Sequence, residues 1–441
     1  MNIPIVIAAF NRENALQRLL NALSKGRYSD SVTLIISIDG GGPDGVRRIA
    51  EEFDWRYGKK EIVAHQENLG LRRHILSCGE LSRHYDGIIL LEDDLYVSPF
   101  FYEYTIATLE FYQHSPEICG VSLYAYQYNE TVFFPFTPLN DGSDVYFMQL
   151  PCSWGQAWLK AHWADFSAWY DLNSTSNFQD DPTLPTNIAF WPDTSWKKYF
   201  LKYMVENDKF FVYPRNSYTT NFGDKGQHHQ GTNVFQVPLV YGVTENFRFK
   251  KFYDCLVKYD VFCELLPDCL GELCCSSIPS NLSVDLYGAK RRENLAGEYV
   301  ITPKKSRSYE DSFALRMLPP EMNIISRIDG NELFLTRVDQ LEELGDINGY
   351  LYSSASSESA QRYYFGTDDV HYVLLRDAEI RLAQAERAIG LLTTTSELPQ
   401  HVQQLELLFQ ERGARVNAME TSLTWRLTKP LRWLGDRFRG R

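Results

Sequence analysis

Over its first 125 residues the chain alternates short apolar runs with stretches in which apolar residues recur three and four apart. Runs of the first kind predict buried strands and the second kind amphipathic helices, and their alternation is the mark of βα units around a parallel sheet. IPIVIAAF (3–10) predicts a first strand, and Leu16, Leu19, Leu20 and Leu23 give one face to a helix over 12–23. VTLIISIDGGG (32–42) predicts a second strand closing on Asp39 and a glycine turn, EIVAH (61–65) a third, and GIILLEDD (87–94) a fourth. Ligands of open α/β sheets sit at the carboxyl ends of strands. Asn11 and Arg12, Asp39, His65 and the triplet Glu92, Asp93, Asp94 all fall at such ends.

The pattern changes at about residue 126. From there to 250 aromatic, Asn, Asp and Pro residues dominate, predicting short elements joined by long loops of the kind that carry substrate contacts. Residues 251–350 form an accessory region that is Cys-rich at first and then reads as short strands, and 351–366, with SSASSES, reads as a linker. Over 367–424 a 3,4 spacing returns through Leu375, Ala378, Leu382, Ala385, Ile389 and Leu392, and resumes beyond Pro399 at Val402, Leu405 and Phe409. That spacing predicts a coiled coil, with homo-oligomerisation as its use, or a helical pair folded back on the body.

Composition narrows the function. A net charge of −13 argues against nucleic acid as the main partner, because phosphate binding needs a basic face. The end of the chain, 425–441, reverses the sign: Arg426, Lys429, Arg432, Arg437, Arg439 and Arg441 are interleaved with Trp425, Leu431, Trp433 and Phe438. Such a basic amphipathic tail suits a peripheral contact with an anionic membrane surface or docking on the protein's own acidic surface. MNIPIVIAAF leads straight into a strand rather than a secretory signal, so a cytoplasmic location is expected, at the inner face of the membrane if the tail binds there. Cys255, Cys263, Cys269, Cys274 and Cys275 lack paired CxxC spacing and nearby His, and are read as buried thiols rather than a zinc site.

The acidic triplet carries the candidate chemistry. Three carboxylates after an apolar strand repel one another unless a cation or hydrogen-bond donors answer them. Oxygen ligands suit Mg²⁺ or Mn²⁺, which complete their shell with water and phosphate; by itself the triplet also fits a solvated strand end. Around it, Asp39 is placed to accept from a base or ribose, Arg12 to meet a uracil or phosphate, and Arg72, Arg73 and His74 to neutralise a diphosphate. The glycines of NFGDKGQHHQG (221–231) predict a loop that changes shape, with Lys225 on the donor side.

Taken in order, FNR (10–12), SIDGG (37–41), LLEDDLYVSPFFYEY (90–104), CSWGQAWL (152–159), FWPDTSW (190–196) and PRNSYTTNFGDKGQHH (214–229) resemble the motifs of GT-A glycosyltransferases, more narrowly of the N-acetylglucosaminyltransferase I type. The resemblance covers roughly 1–240 and implies a Rossmann-like GT-A domain over 1–250. It further implies that Arg12 and Asp39 hold the nucleotide, that Asp93 contacts ribose or sugar, and that Asp94 ligates the metal. Glu92 then faces the donor sugar or acceptor, and Asp193 is the general base. CSWGQAWL is expected to start an acceptor-side helix, with Trp154 and Trp158 either stacking on a sugar or packing in the core. Pro192 stands where the family has a second acid. The tail is similar to those of bacterial surface-polysaccharide glycosyltransferases. The implied reaction is a metal-dependent, inverting transfer from a nucleotide-sugar, UDP-GlcNAc being the nearest guide, to a glycan or lipid-linked acceptor. A nucleotidyltransferase and a non-catalytic glycan-binding scaffold are the alternatives, although FNRENALQ lacks the Gly-rich basic loop that the former requires.

Overall fold

The computed structural model describes residues 1–366 apart from 30, 133, 180, 225–234, 245, 276, 345–346, 348–349, 352–353 and 355–356. The helical segment expected over 367–424 and the tail 425–441 lie outside the described residues.

The βα units form in the predicted order: β1 (Ile5–Ala9), α1 (Glu13–Leu23), β2 (Leu34–Ile38), α2 (Asp44–Glu52), β3 (Lys60–Ala64), α3 (Gly70–Glu80) and β4 (Gly87–Glu92). Each residue of β1 and β2 is buried, as expected of strands covered on both faces. The α1 leucines at 16, 19, 20 and 23 are all buried, which docks that helix on the sheet. β5 (Leu95–Val97), α4 (Phe101–Tyr112) and β6 (Ile118–Ser122) follow, then a small ribbon of β7 (Tyr128–Asn129) and β8 (Phe134–Pro135). The half ends with β9 (Val145–Met148), β10 (Gln156–Leu159), α5 (Lys160–Asn173), α6 (Thr186–Ala189), α7 (Trp196–Glu206), β11 (Phe210–Pro214), β12 (Thr219–Asn221) and β13 (Lys258–Tyr259).

Nine of these strands make one sheet in the order β13-β9-β11-β6-β10-β4-β1-β2-β3. β1 pairs in parallel with β2 and β4, and β2 with β3, while β10 runs antiparallel to β4 and β6, so the sheet is mostly parallel rather than wholly so. CSWGQAWL is the correction here. Gln156–Leu159 is a strand beside β4, and α5 starts only at Lys160. Trp158 is fully buried and stacks on Trp163 at 5.1 Å, so it belongs to the core and cannot face a sugar.

The sheet also extends past residue 250, because β13 pairs with β9. Beyond it, α8 (Pro267–Leu273) leads to a second sheet of β14 (Leu282–Val284), β15 (Tyr299–Thr302), β16 (Asp311–Phe313) and β17 (Leu333–Arg337), with α9 (Glu321–Ile325) between the last two strands. Cys255, Cys263, Cys269 and Cys274 are free and buried, and Cys275 is exposed. Within the Ser-rich stretch expected as a linker, Ser357 caps a helix, α10 (Glu358–Phe365), by accepting from the Ala360 N–H. Serine is a favoured N-cap, which a reading of composition alone overlooks. Tyr364 of α10 stacks on Phe134 of β8 at 4.1 Å.

Candidate active site

Because β1 lies between β2 and β4, the residues leaving these three strands meet. Asp39 N–H donates to the Ala9 carbonyl and Asp93 N–H to that of Ala8, which fixes both acids beside the end of β1. Arg12, three residues past β1, sits against the triplet. Its Nε donates to Asp93 Oδ1 at 2.9 Å and its Nη1 to Asp94 Oδ2 at 2.6 Å. Asp93 Oδ2 accepts from the Phe10 N–H, and Asp94 Oδ2 also accepts from Asn221 Nδ2 at 3.2 Å. Asp94 Oδ1 is left buried with no hydrogen-bond partner.

Charge explains the electrostatics. Burial raises the Asp93 carboxyl to about 6, against the pull of Arg12. Burial followed by repulsion from Asp94 raises Glu92, which is partly buried at the last position of β4. Burial alone would lower the Arg12 guanidinium, but Asp94, Asp93 and Glu92 together raise it further. One guanidinium cannot neutralise all three carboxyls when they are ionised, and a divalent cation would supply the missing positive charge. An unpartnered oxygen on Asp94 gives such an ion a place to bind, so the residues fit a Mg²⁺ or Mn²⁺ ligand set completed by water and substrate. Among the described residues, no cluster of three His, Cys, Asp or Glu side chains makes an all-protein cage.

The other predicted donor-side residues separate. Asp39 is buried, with Oδ1 accepting from the Leu69 N–H at 2.7 Å and Oδ2 from the Gly70 N–H at 3.1 Å, so in this state it ties down the start of α3. Arg73 is exposed, while Arg72 lies 4.8 Å over the Tyr199 ring of α7. His74 corrects the expectation of a cation. It is buried, its Nε2 is 2.9 Å from Ser37 Oγ, and burial lowers it to about 4, so it is neutral at physiological pH. Arg72 and His74 were placed by their sequence distance from the triplet, but on α3 they turn toward α7 and the core. Lys225 lies outside the described residues.

Two residues with no earlier role join the site. Arg18 of α1 pairs with Asp224, and its guanidinium lies 4.0 Å over the Phe222 ring. Asn221 ends β12, which pairs with β5 directly after the triplet, and bonds to Asp94. The run NFGD thus carries its signal in the sequence, but only as the lead-in to a glycine-rich loop.

Asp193 occupies the turn between α6 and α7. Ser195, not Asp193, caps α7 by accepting from the Lys198 N–H, which leaves the Asp193 carboxylate 74% exposed. Its partner at 3.2 Å is Lys198 Nζ, a buried ammonium also held by the Trp191 carbonyl. A solvent-facing carboxylate kept in place by a buried cation can accept a proton from a group arriving from outside.

The comparison that bears on these strand ends is a family one. Residues 5–153 match the model described as Glycosyl transferase family 2. The match covers Arg12, Asp39 and the acidic triplet, and spans about a third of the chain. Glycosyltransferase AglE of Haloferax volcanii is 29% identical over 68 residues, 15% of this chain and 22% of that protein, so the chain spans about a fifth of the length of this curated relative. Among solved structures, S. aureus TarS 1-349 aligns at TM-score 0.34 and 11% identity, covering 50% of this chain and 60% of that one. The mannosyltransferase PcManGT of Pyrobaculum calidifontis, in complex with GDP-Man and Mn²⁺, aligns at TM-score 0.27 and 13% identity, covering 36% and 44%.

Proposed function

We propose that the chain is a metal-dependent, inverting glycosyltransferase that moves a sugar from a nucleoside-diphosphate donor to a glycan or lipid-linked glycan. The observation that carries this reading is the buried, unpartnered Asp94 Oδ1 in an acidic cluster that Arg12 neutralises only in part. The family match over the same strand ends supports it. UDP-GlcNAc is the first donor to try, on the motif order that resembles the N-acetylglucosaminyltransferase I type.

In this reading Asp94 holds the ion through Oδ1, while Arg12 and Asn221 fix its other oxygen. A divalent ion bound there would stabilise the charge developing on the departing diphosphate. Asp93 and Asp39 are assigned to the ribose and base side, Glu92 to the sugar being transferred, and Arg73 and Lys225 remain candidates for diphosphate contacts. Donor binding at Asp39 requires it to release or share the Leu69 and Gly70 amides that it now holds. Asp193 takes the proton of the acceptor hydroxyl as its oxygen bonds to the anomeric carbon. The bond from that carbon to the diphosphate breaks on the opposite face, which inverts the centre. The basic tail is assigned to an anionic membrane surface, where a lipid-linked acceptor is available.

Transfer tests the reading. With UDP-GlcNAc and Mn²⁺, full-length protein is expected to release UDP and glycosylate a lipid-linked glycan, read by mass spectrometry. D193A is expected to lower kcat by a factor of at least about 10² with donor binding retained, and D94A to lose donor binding as well. Transfer that survives both substitutions would overturn the roles given to Asp193 and Asp94, and no transfer by wild-type protein with any donor would leave the scaffold reading in its place.

A further inference from the structure

α1 carries a single basic residue, Arg18. Ala15 and Ala22, three residues before it and four after, share its stripe of the helix and are buried. Small residues there let the long side chain run along the protein instead of out into water, and it is about a quarter exposed. The guanidinium ends beside the acidic triplet, with Nη2 3.5 Å from the Asp94 carbonyl oxygen. Beneath it lies the ring of Phe222, which packs in turn on Tyr96 of β5 with ring centroids 5.8 Å apart.

The two arginines that approach Asp94 are engaged differently. Arg12 gives Nε, Nη1 and Nη2 to Asp93 and Asp94, so its fork is filled by acids of the triplet itself. Arg18 gives Nη1 and Nη2 to the two carboxylate oxygens of Asp224, and its Nε is buried with no hydrogen-bond partner. Asp224 is about a third exposed and lies three residues beyond Asn221, the last residue of β12, which bonds to Asp94. Two anionic oxygens offered to one guanidinium are the match that a phosphate also makes. An ion pair this open to water is weak, so a more highly charged anion can displace the carboxylate.

We propose that Arg18 binds the diphosphate of the nucleotide-sugar, and that Asp224 occupies its guanidinium when no nucleotide is bound. Donor and Asp224 then exclude one another at Arg18. The inference rests on the transferase reading above and adds to it a phosphate-binding residue and an internal competitor for that residue. A divalent ion on the free Oδ1 of Asp94 would bring its diphosphate to the residue whose backbone Arg18 already approaches. Phe222 keeps the guanidinium in place when Asp224 leaves, and the freed carboxylate is already partly hydrated. Arg18 is thus paired with an anion in both states.

Calorimetric titration of UDP, GDP, CDP and dTDP into full-length protein with Mn²⁺ selects the nucleotide, which is then titrated into R18M, D224N and the double variant. R18M is expected to weaken binding at least about tenfold. D224N is expected to strengthen it at least about threefold, an opposite sign from the other half of the same ion pair. The double variant is expected to match R18M within about twofold, because Asp224 acts through Arg18. D224N keeps the shape of a partly exposed side chain, so it holds the test open if R18M fails to fold. Unchanged binding by R18M, or weaker or unchanged binding by D224N, would make the pair structural and overturn the proposal while leaving the donor reading intact. The same strengthening by D224N with and without Arg18 would also overturn it, as a charge effect that bypasses the guanidinium. Failure of wild-type protein to bind any of the four nucleotides would instead overturn the reading on which it rests.

Discussion

Arg12 meets two carboxylates at once, and no other cation among the described residues pairs with the side chain of either Asp93 or Asp94. Removing it exposes their mutual repulsion. Breaking a buried pair typically costs 3–5 kcal/mol, and Arg12 is about a quarter exposed, so R12M is expected to destabilise the protein by about 2 kcal/mol at neutral pH. Urea unfolding checks this, and an unchanged midpoint would contradict the pairing. At this scale the sequence was informative about residue type and less so about direction. The acids and Arg12 could be found because strand ends are readable and charge there requires an answer. His74 and Arg72 were misplaced because helical phase, not distance along the chain, decides which way a residue of α3 points.

The elements were easier to read where burial is continuous. β1, β2 and β4 carry buried and mainly apolar runs because they lie inside the sheet. β10 was mistaken for a helix start because a four-residue strand that abuts a helix has too little periodicity of its own. α9 allows a test of its packing through Glu321, which is buried with Oε2 unpartnered and raised to about 7 by that burial. A carboxyl raised in the folded state favours folding fully below its unfolded value, about 4.5, and that contribution is lost as pH rises through 7. E321Q keeps the neutral shape at every pH. It is therefore expected to match wild type at pH 4.5 and to be more stable at pH 8, by about 3 kcal/mol at most. Thermal midpoints at the two pH values measure the difference, and a variant less stable at pH 8 would show that the carboxylate has a partner.

At the scale of the whole molecule, one sheet brings the residues that follow β1, β2 and β4 together at the same end, with Arg12 and Asp39 beside the acidic triplet. That arrangement follows from crossovers, which no local pattern records. The basic tail, read from sequence alone, makes a separate prediction: full-length protein is expected to float with anionic liposomes and a chain ending at Ala418 is not, and equal flotation would remove the membrane contact. The central claim is that Asp94 holds a divalent ion for a nucleotide-sugar. Calorimetric titration of UDP-GlcNAc and related donors into wild type and D94N, with Mn²⁺ and with EDTA, tests it most directly. The account predicts that one donor binds to wild type only with Mn²⁺, and at least tenfold more weakly to D94N. Equal donor binding with and without metal, or full metal-dependent binding by D94N, would contradict it.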